Sequence, residues 1–399
     1  MLLARTVYAF NWYNVGAVLP LIGSGLHVGA ADLGIVLGTF LVGVGIFQIP
    51  AGFAAMHWGA RKVSLAGLLI MGLACVASAF SPTWEWLAGL RFFAGVGAAF
   101  FFSPALSLIA SYYPTGARGP VIGLYNGSFS IGGAIGLSGG VLIGQEFGWA
   151  AALLIGGIAM LGTTGIGWLL LPRFREEEAL RTLAALWSGS RGILRSRSIW
   201  ALSLGLVGFW AAIYVVAQYF VEYASVDHPA WGGIVAGSLA GLVIILSFPG
   251  GPVGGWLAER GHERRSLMIL FGVVTGILVI LIPFTPLWAL WPLCAALGFV
   301  DGMVFAILYL VPSYLPESRG HGLALGVALV NSVQVLIGSG ISILFGVLAA
   351  TEGYFRSWVL LGVLTIVLLP ILLLVSPTRA TGREQIVPAE DTARSETGS

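Results

Sequence analysis

Charge is what this chain has least of. Only 9% of its 399 residues are Asp, Glu, Lys or Arg, against roughly 25% in a soluble domain, so a water-facing surface cannot be built from it. Nineteen Lys and Arg against 17 Asp and Glu give a net charge of +2, and the basic residues form no single patch. A nucleic-acid partner is therefore excluded. Cysteine is nearly absent: Cys75 and Cys294 each sit alone in an apolar run, without C-x-x-C spacing, and read as small core residues. The five histidines, His27, His57, His228, His262 and His321, lie near loops and are not clustered for a metal. With no H-E-x-x-H, G-x-S-x-G or P-loop, neither an enzyme nor a cofactor is expected. Residues 1–9 carry no cleavage pattern, so the first apolar stretch reads as a retained helix rather than a signal peptide.

What the chain has is apolar length. Hydrophobic residues make up 58% of it and the mean hydropathy is +0.95; a bilayer is crossed by about 20 such residues. Helices are predicted over 4–26, 31–56, 62–80, 83–112, 117–144, 148–171, 198–223, 230–258, 263–284, 287–313, 318–349 and 354–375. Numbered 1 to 12, they give an all-α integral membrane protein of two pseudo-symmetric six-helix halves. The halves cover 1–171 and 198–376, with a cytoplasmic linker at 172–197 and a disordered cytoplasmic tail at 377–399. Pro50, Pro104, Pro249 and Pro312 are expected to kink helices 2, 4, 8 and 10. Within the linker, Glu176, Glu177 and Glu178 precede a stripe of Leu180, Leu183, Ala184 and Trp187, the pattern of a short interfacial helix. If both termini are cytoplasmic, seventeen of the nineteen basic residues fall on the cytoplasmic side, leaving only Arg91 and Arg356.

The halves repeat. Gly52-x9-Lys62 after helix 2 matches Gly255-x9-Arg265 after helix 8, and SYYPTGARG (111–119) after helix 4 matches SYLPESRG (313–320) after helix 10. Parallel repeats of this kind are a transporter architecture. In these residues the chain resembles the major facilitator superfamily. The family's loop motif G-x-L-A-D-R-x-G-R-K reads GFAAMHWGARK (52–62) and GWLAERGHERR (255–265), and its helix 4 motif R-x-x-x-G-x-G reads RFFAGVG (91–97). The resemblance implies gating roles for Gly52, Gly59, Arg61, Lys62, Gly255, Glu259, Arg260 and Arg264. Met56 replaces the motif acid that Glu259 retains, so the inner gate is expected to be asymmetric. Helix 5 reads SIGGAIGLSGG (130–140), without the Gly-Pro pair of the family's drug and proton antiporters.

Polar side chains sort the helices. Asn11, Asn14, Asn126 and Asn331 lie in helices 1, 5 and 11, and Gln48, Gln218 and Gln334 in helices 2, 7 and 11, whereas helices 3, 6, 9 and 12 have no interior amide or charge. The latter four should face lipid and the others a cavity. Expected substrate-binding residues are Tyr8, Asn11 and Trp12 on helix 1, Arg91 on helix 4, Tyr125 and Asn126 on helix 5, Trp210, Tyr214 and Gln218 on helix 7, and Asn331 on helix 11. The competing reading of each amide is glue between helices. Two charges lie deep. Arg91 is about 12 Å into helix 4 and Asp301 about 21 Å into helix 10, at 1.5 Å per residue. Both are expected to act in coupling. Glycines at 132, 136 and 140 on helix 5 and at 233, 237 and 241 on helix 8 suggest a close seam between the halves.

The expected function is secondary active transport of a small organic or inorganic anion, with protons, by alternating access. The alternatives are efflux of an amphipathic compound and a membrane receptor or scaffold that moves nothing. A monomer in lipid, in a bacterial or archaeal plasma membrane, is expected. The orientation has a direct test. Labelling from outside should modify a cysteine placed at Asp227 or Thr351 and spare one at Ser190; labelling at Ser190 would overturn it.

Overall fold

In a computed structural model of the chain, every regular element among the described residues is helical. The structure describes residues 1–112, 115–171, 192–260, 263–311 and 322–375, and their side chains except at 56, 106–107, 110–112, 115–120, 122–123, 309–310 and 322–325. The linker stripe at 176–187, Pro312, the repeat at 313–320 and the tail lie outside the described residues, as does the side chain of Met56.

Helix 1 consists of two pieces, Leu2–Ala17 and Leu19–Leu26. The break at Val18 precedes Pro20, which has no N–H to donate and fits the first turn of the second piece. Helices 2 to 6 are Ala30–Trp58, Ala60–Ser78, Trp84–Tyr112, Thr115–Phe147 and Trp149–Leu170. Helix 7 is also in two pieces, Arg197–Gly205 and Val207–Asp227; helices 8 to 10 are Gly233–Glu259, Arg264–Leu281 and Leu287–Leu310. Helices 11 and 12 run as Gly322–Leu368, parted only at Gly353 (φ 82°), and helix 12 ends in a 3-10 turn, Leu369–Leu374. Ten segments are long and apolar enough to span a bilayer; separating helices 11 and 12 and adding the two-piece helix 1 gives twelve. Helices 2, 4 and 8 continue through Pro50, Pro104 and Pro249.

The two halves repeat in their contacts as well as in their sequence. A side chain at Gly95 of helix 4 would overlap the Phe40 carbonyl of helix 2; one at Gly298 of helix 10 would overlap the Val243 carbonyl of helix 8. Both members of the second pair lie 203 residues after the first. Arg61 donates from Nε to the Leu171 carbonyl (3.1 Å) and from Nη2 to the Trp168 carbonyl (2.6 Å), so it closes the end of helix 6. Arg265 does the same for helix 12, donating from Nη1 to the Leu373 and Val375 carbonyls (3.2 and 3.3 Å). These carbonyls end their helices without intrahelical donors, and a cation there also meets the negative end of the helix dipole.

Helix 3 packs chiefly on helices 4 and 6, helix 6 on helices 3, 1 and 5, and helix 9 on helices 10 and 12. Their outward faces present Leu69, Leu73, Ile155, Ile158, Leu270 and Ile277, all exposed. The seams between halves run instead between helices 2 and 11, 5 and 8, and 1 and 7. The glycine stripes divide differently from expectation. Gly233, Gly237 and Gly241 of helix 8 do meet helix 5 across the seam, at Val141, Leu137, Ser138 and Ala134. Gly132, Gly136 and Gly140 of helix 5, however, are turned to helix 1 in their own half, against Thr6, Phe10 and Asn14. Helix 5 has a different face for each neighbour.

Close approach of this kind makes a sharp prediction. Gly298→Val should lower the thermal stability and the monodisperse yield of detergent-purified protein, because the new side chain meets backbone that cannot move aside. Gly340→Ala, with nothing within 4 Å, should leave both unchanged; equal effects would show that these contacts do not organise the half.

Candidate functional site

The deep cation of helix 4 is held on two sides. Arg91 is buried, its Nη1 donates to the Asn11 carbonyl of helix 1 (3.4 Å), and its guanidinium lies 4.3 Å from the ring centre of Phe40 on helix 2. Nε and Nη2, which share one edge of the guanidinium, have no hydrogen-bond partner among the described residues. No acid pairs with it there; the described ion pairs are Arg265–Glu263 and Arg356–Glu352, both near helix ends.

Around Arg91 the N-terminal half is lined with rings. Trp12 meets Phe40 edge-on at 4.7 Å, and Tyr8 packs on Trp12 (5.6 Å) and Phe101 (5.2 Å). Phe129 of helix 5 closes on Tyr8, Trp12 and Tyr13 at 6.2, 6.1 and 5.8 Å. Tyr8 and Trp12 follow each other on one face of helix 1 because residues four apart stack along a helix.

Asn11 is turned elsewhere. Its Nδ2 donates to the Gly156 and Val7 carbonyls (2.8 and 2.9 Å), and Asn14 Nδ2 to the Ala152 carbonyl (3.2 Å), so both side chains join helix 1 to helix 6. The stripe on helix 7 joins the halves. Trp210 stacks on Tyr214 (5.5 Å, 9°) and packs on Gly338 of helix 11. Tyr214 Oη donates to the Leu37 carbonyl of helix 2 (3.3 Å), and Gln218 Nε2 to the Trp12 carbonyl of helix 1 (2.9 Å). Asn331 lies half-buried on helix 11 beside Ser332, whose hydroxyl donates to the Gly45 carbonyl of helix 2 (2.6 Å).

Asp301 is half-buried on helix 10 and accepts a hydrogen bond from the Ser247 hydroxyl of helix 8. On helix 10 the exposed Trp288 and Trp291 mark the lipid side; at about 100° per residue Asp301 lies roughly 140° from Trp288 and roughly 80° from Trp291. On helix 5 the lipid side is marked by Leu124, Ile131, Ile135 and Leu142, and Asn126 points about 200° from Leu124. Asn126 is exposed all the same. Accessible polar side chains on faces turned from lipid line an interior space. Tyr125 beside it is buried, with its hydroxyl unpartnered among the described residues.

The gating residues lie along one end. A side chain at Gly52 or Gly255 would meet nothing within 4 Å, and Gly59 turns the chain between helices 2 and 3 with φ 90°. Lys62 and Glu259 are exposed, Arg260 stacks on Trp256 at 3.9 Å, and Arg264 is fully buried. Arg61 is committed to the end of helix 6, as described above.

One further residue belongs to this region. By sequence Arg5 is only a cytoplasmic cation, yet it is buried, with its guanidinium 4.4–4.9 Å from the rings of Phe129, Tyr8, Phe102 and Tyr125. The available signal is its place on helix 1, at the head of the Tyr8–Trp12 face.

Comparison with known proteins agrees with this architecture. Residues 1–337 match the description of the Major Facilitator Superfamily. The chain is 32% identical to monocarboxylate transporter 11 of Mus musculus over 295 residues, covering 68% of this chain and 62% of that protein, so the match spans less than two thirds of the relative. It is 24% identical to a probable sulfoacetate transporter of Cupriavidus necator, covering 68% of each chain. A bacterial homologue of the human lysosomal transporter Spinster, in an inward-facing and occupied conformation, superposes with a TM-score of 0.73 at 18% identity, covering 94% of this chain and 95% of the other; this likeness bears on fold alone. With the repeated halves and the paired loop motifs, these matches make the chain an integral membrane protein that belongs to the major facilitator superfamily.

Proposed function

We propose that this protein is a secondary transporter of a small organic acid anion, working by alternating access, with Arg91 receiving the anion and Asp301 carrying a coupling proton. The observation that carries the reading is the unpartnered Nε–Nη2 edge of Arg91. A charge at membrane depth costs at least about 2.5 kcal/mol, and the one ring beside it returns about 0.5–2 kcal/mol. An anionic ligand supplies the rest. The edge left open is the one that takes a planar carboxylate in two parallel hydrogen bonds. Two relatives bear the names of transporters for monocarboxylates and for sulfoacetate, both acid anions, which supports the same class.

Asp301 suits coupling by its position. It comes from the other half, deep in helix 10, with a hydroxyl rather than a cation as its described partner. Alternation would take place at the seams. Helix 2 meets helix 11 through Gly34, Gly38 and Gly45, and helix 1 meets helix 7 through Gly16, all in the part of the bundle away from the N-terminus or near its middle. With both termini taken as cytoplasmic, that packing would be closure on the outer side. The Trp12, Leu37 and Gly45 carbonyls that accept bonds across these seams would exchange them when that side opens.

In proteoliposomes, counterflow of a labelled carboxylate separates a transporter from a receptor that only binds. Asp301→Asn should abolish accumulation driven by a pH gradient while sparing counterflow; Arg91→Gln should reduce both, by tenfold or more for the loss of a charge-assisted pair worth about 1.5–3 kcal/mol. Gradient-driven accumulation by Asp301→Asn at the wild-type rate and pH dependence would remove the proton from the mechanism.

A further inference from the structure

We propose that Arg5 is a second anion-binding residue, and that the ring-lined path between it and Arg91 admits a carboxylate with an aromatic body. The proposal rests on the anion-transport reading above and narrows it to a substrate class.

Two kinds of arginine can be contrasted among the described residues. Arg61 and Arg265 direct their donors at backbone carbonyls that end helices, and their role is accounted for by those bonds. Arg5 is different. It is 5% exposed and sits in a box of four rings, from helices 1, 4 and 5, at 4.8 Å (Tyr8), 4.8 Å (Phe102), 4.9 Å (Tyr125) and 4.4 Å (Phe129). Its guanidinium also donates a hydrogen bond to the Tyr8 hydroxyl oxygen. Rings satisfy the charge of a guanidinium but leave its in-plane N–H donors without acceptors. Arg5 Nε and Nη1 accordingly lack hydrogen-bond partners among the described residues, and so does the hydroxyl of Tyr125 in the same box. Three unmet polar groups therefore lie within one box of rings, and no ion pair described in the structure reaches it.

The surroundings choose between anions. From Arg5 the face of helix 1 continues through Tyr8 and Trp12 to Phe40, over which Arg91 lies. Arg5 and Asn11, whose carbonyl holds Arg91, are separated by about 9 Å of helical rise. A small hydrated ion such as nitrate would give up water on every side and regain donors on one. A carboxylate with an aromatic body meets the arginine at one end and ring edges and faces along its length, where each aromatic pair adds about 0.5–1.5 kcal/mol. Phe102 and Phe129 are only half-buried, and Asn126, on the same helix as Phe129, is exposed, so the box is approached from the interior space.

The test is direct binding to purified full-length protein, by calorimetry, with sodium benzoate, acetate and nitrate as probes. Benzoate should bind about tenfold more tightly than acetate or nitrate. Arg5→Gln should weaken benzoate by about tenfold or more, and Arg5→Lys should restore only part of it, since an ammonium keeps the charge but cannot lie flat among the rings with in-plane donors. Tyr125→Phe keeps the ring and should weaken benzoate by roughly threefold, which decides the matter if the Arg5 variants do not fold. Equal benzoate affinity in wild type, Arg5→Gln and Tyr125→Phe, with acetate and nitrate still bound, would overturn the role of Arg5 and leave anion transport standing. Binding of none of the three anions to wild type would overturn both readings.

Discussion

The structure depends on one constraint: inside a bilayer, backbone N–H and C=O groups find no water and must be satisfied within the chain. That requirement turns each apolar run into a helix and removes the usual reason for helices to associate, since lipid is as apolar as leucine. What holds these helices together is therefore close contact. At Gly95 against Phe40, Gly97 against Gly67, Gly298 against Val243 and Gly302 against Ser247, backbone meets backbone with no side chain between them. The first and third of these contacts are the same one 203 residues apart, so the two halves use the same close approach.

Polar side chains complete the packing by bonding to carbonyls of neighbouring helices. Asn11 and Asn14 reach helix 6, Tyr219 reaches the Ser342 carbonyl of helix 11, and Thr365 reaches the Gly208 carbonyl of helix 7. Such bonds are worth about 1–2 kcal/mol at most, enough to orient a helix and small enough to be exchanged at a moving seam. The groups left over after this packing stand out. Arg5, Arg91 and Tyr125, on helices 1, 4 and 5, keep polar atoms without partners among the described residues, and Asp301 on helix 10 has only a hydroxyl as its described partner. The halves are alike in contacts and unlike in charge: the position of Arg91 in the first half is held by Cys294 in the second, 203 residues on. Cations on one side and the acid on the other follow from that asymmetry.

Much of the fold was legible in residue order. The apolar runs marked the twelve helices to within a few residues at most ends, and the paired loop motifs marked the repeat. The site was less so. Asn11 and Tyr8 are three residues apart and share a face by spacing, yet Asn11 bonds helix 6 while Tyr8 packs beside Arg5. A difference of about 60° in direction decides whether a side chain meets a neighbouring helix or the interior, and helix tilt and crossing set that angle. The glycines of helix 5 depart from expectation for the same reason: their spacing announces a close contact without naming the partner.

Composition and order by themselves determined that this chain spans a membrane as helices, that it does so as a repeated six-helix unit, and which helices can face lipid. These properties follow from the one-dimensional rules of the bilayer, namely length, hydropathy and the cost of exposed amides and charges. Only the tertiary structure decided which polar groups remain free of structural work. Arg61 and Arg5 are both basic residues near a helix start, but one finds the carbonyls at the end of helix 6 and the other a box of rings from helices 4 and 5. That difference belongs to neighbours a hundred residues away in sequence, and it arises only when the helices are packed.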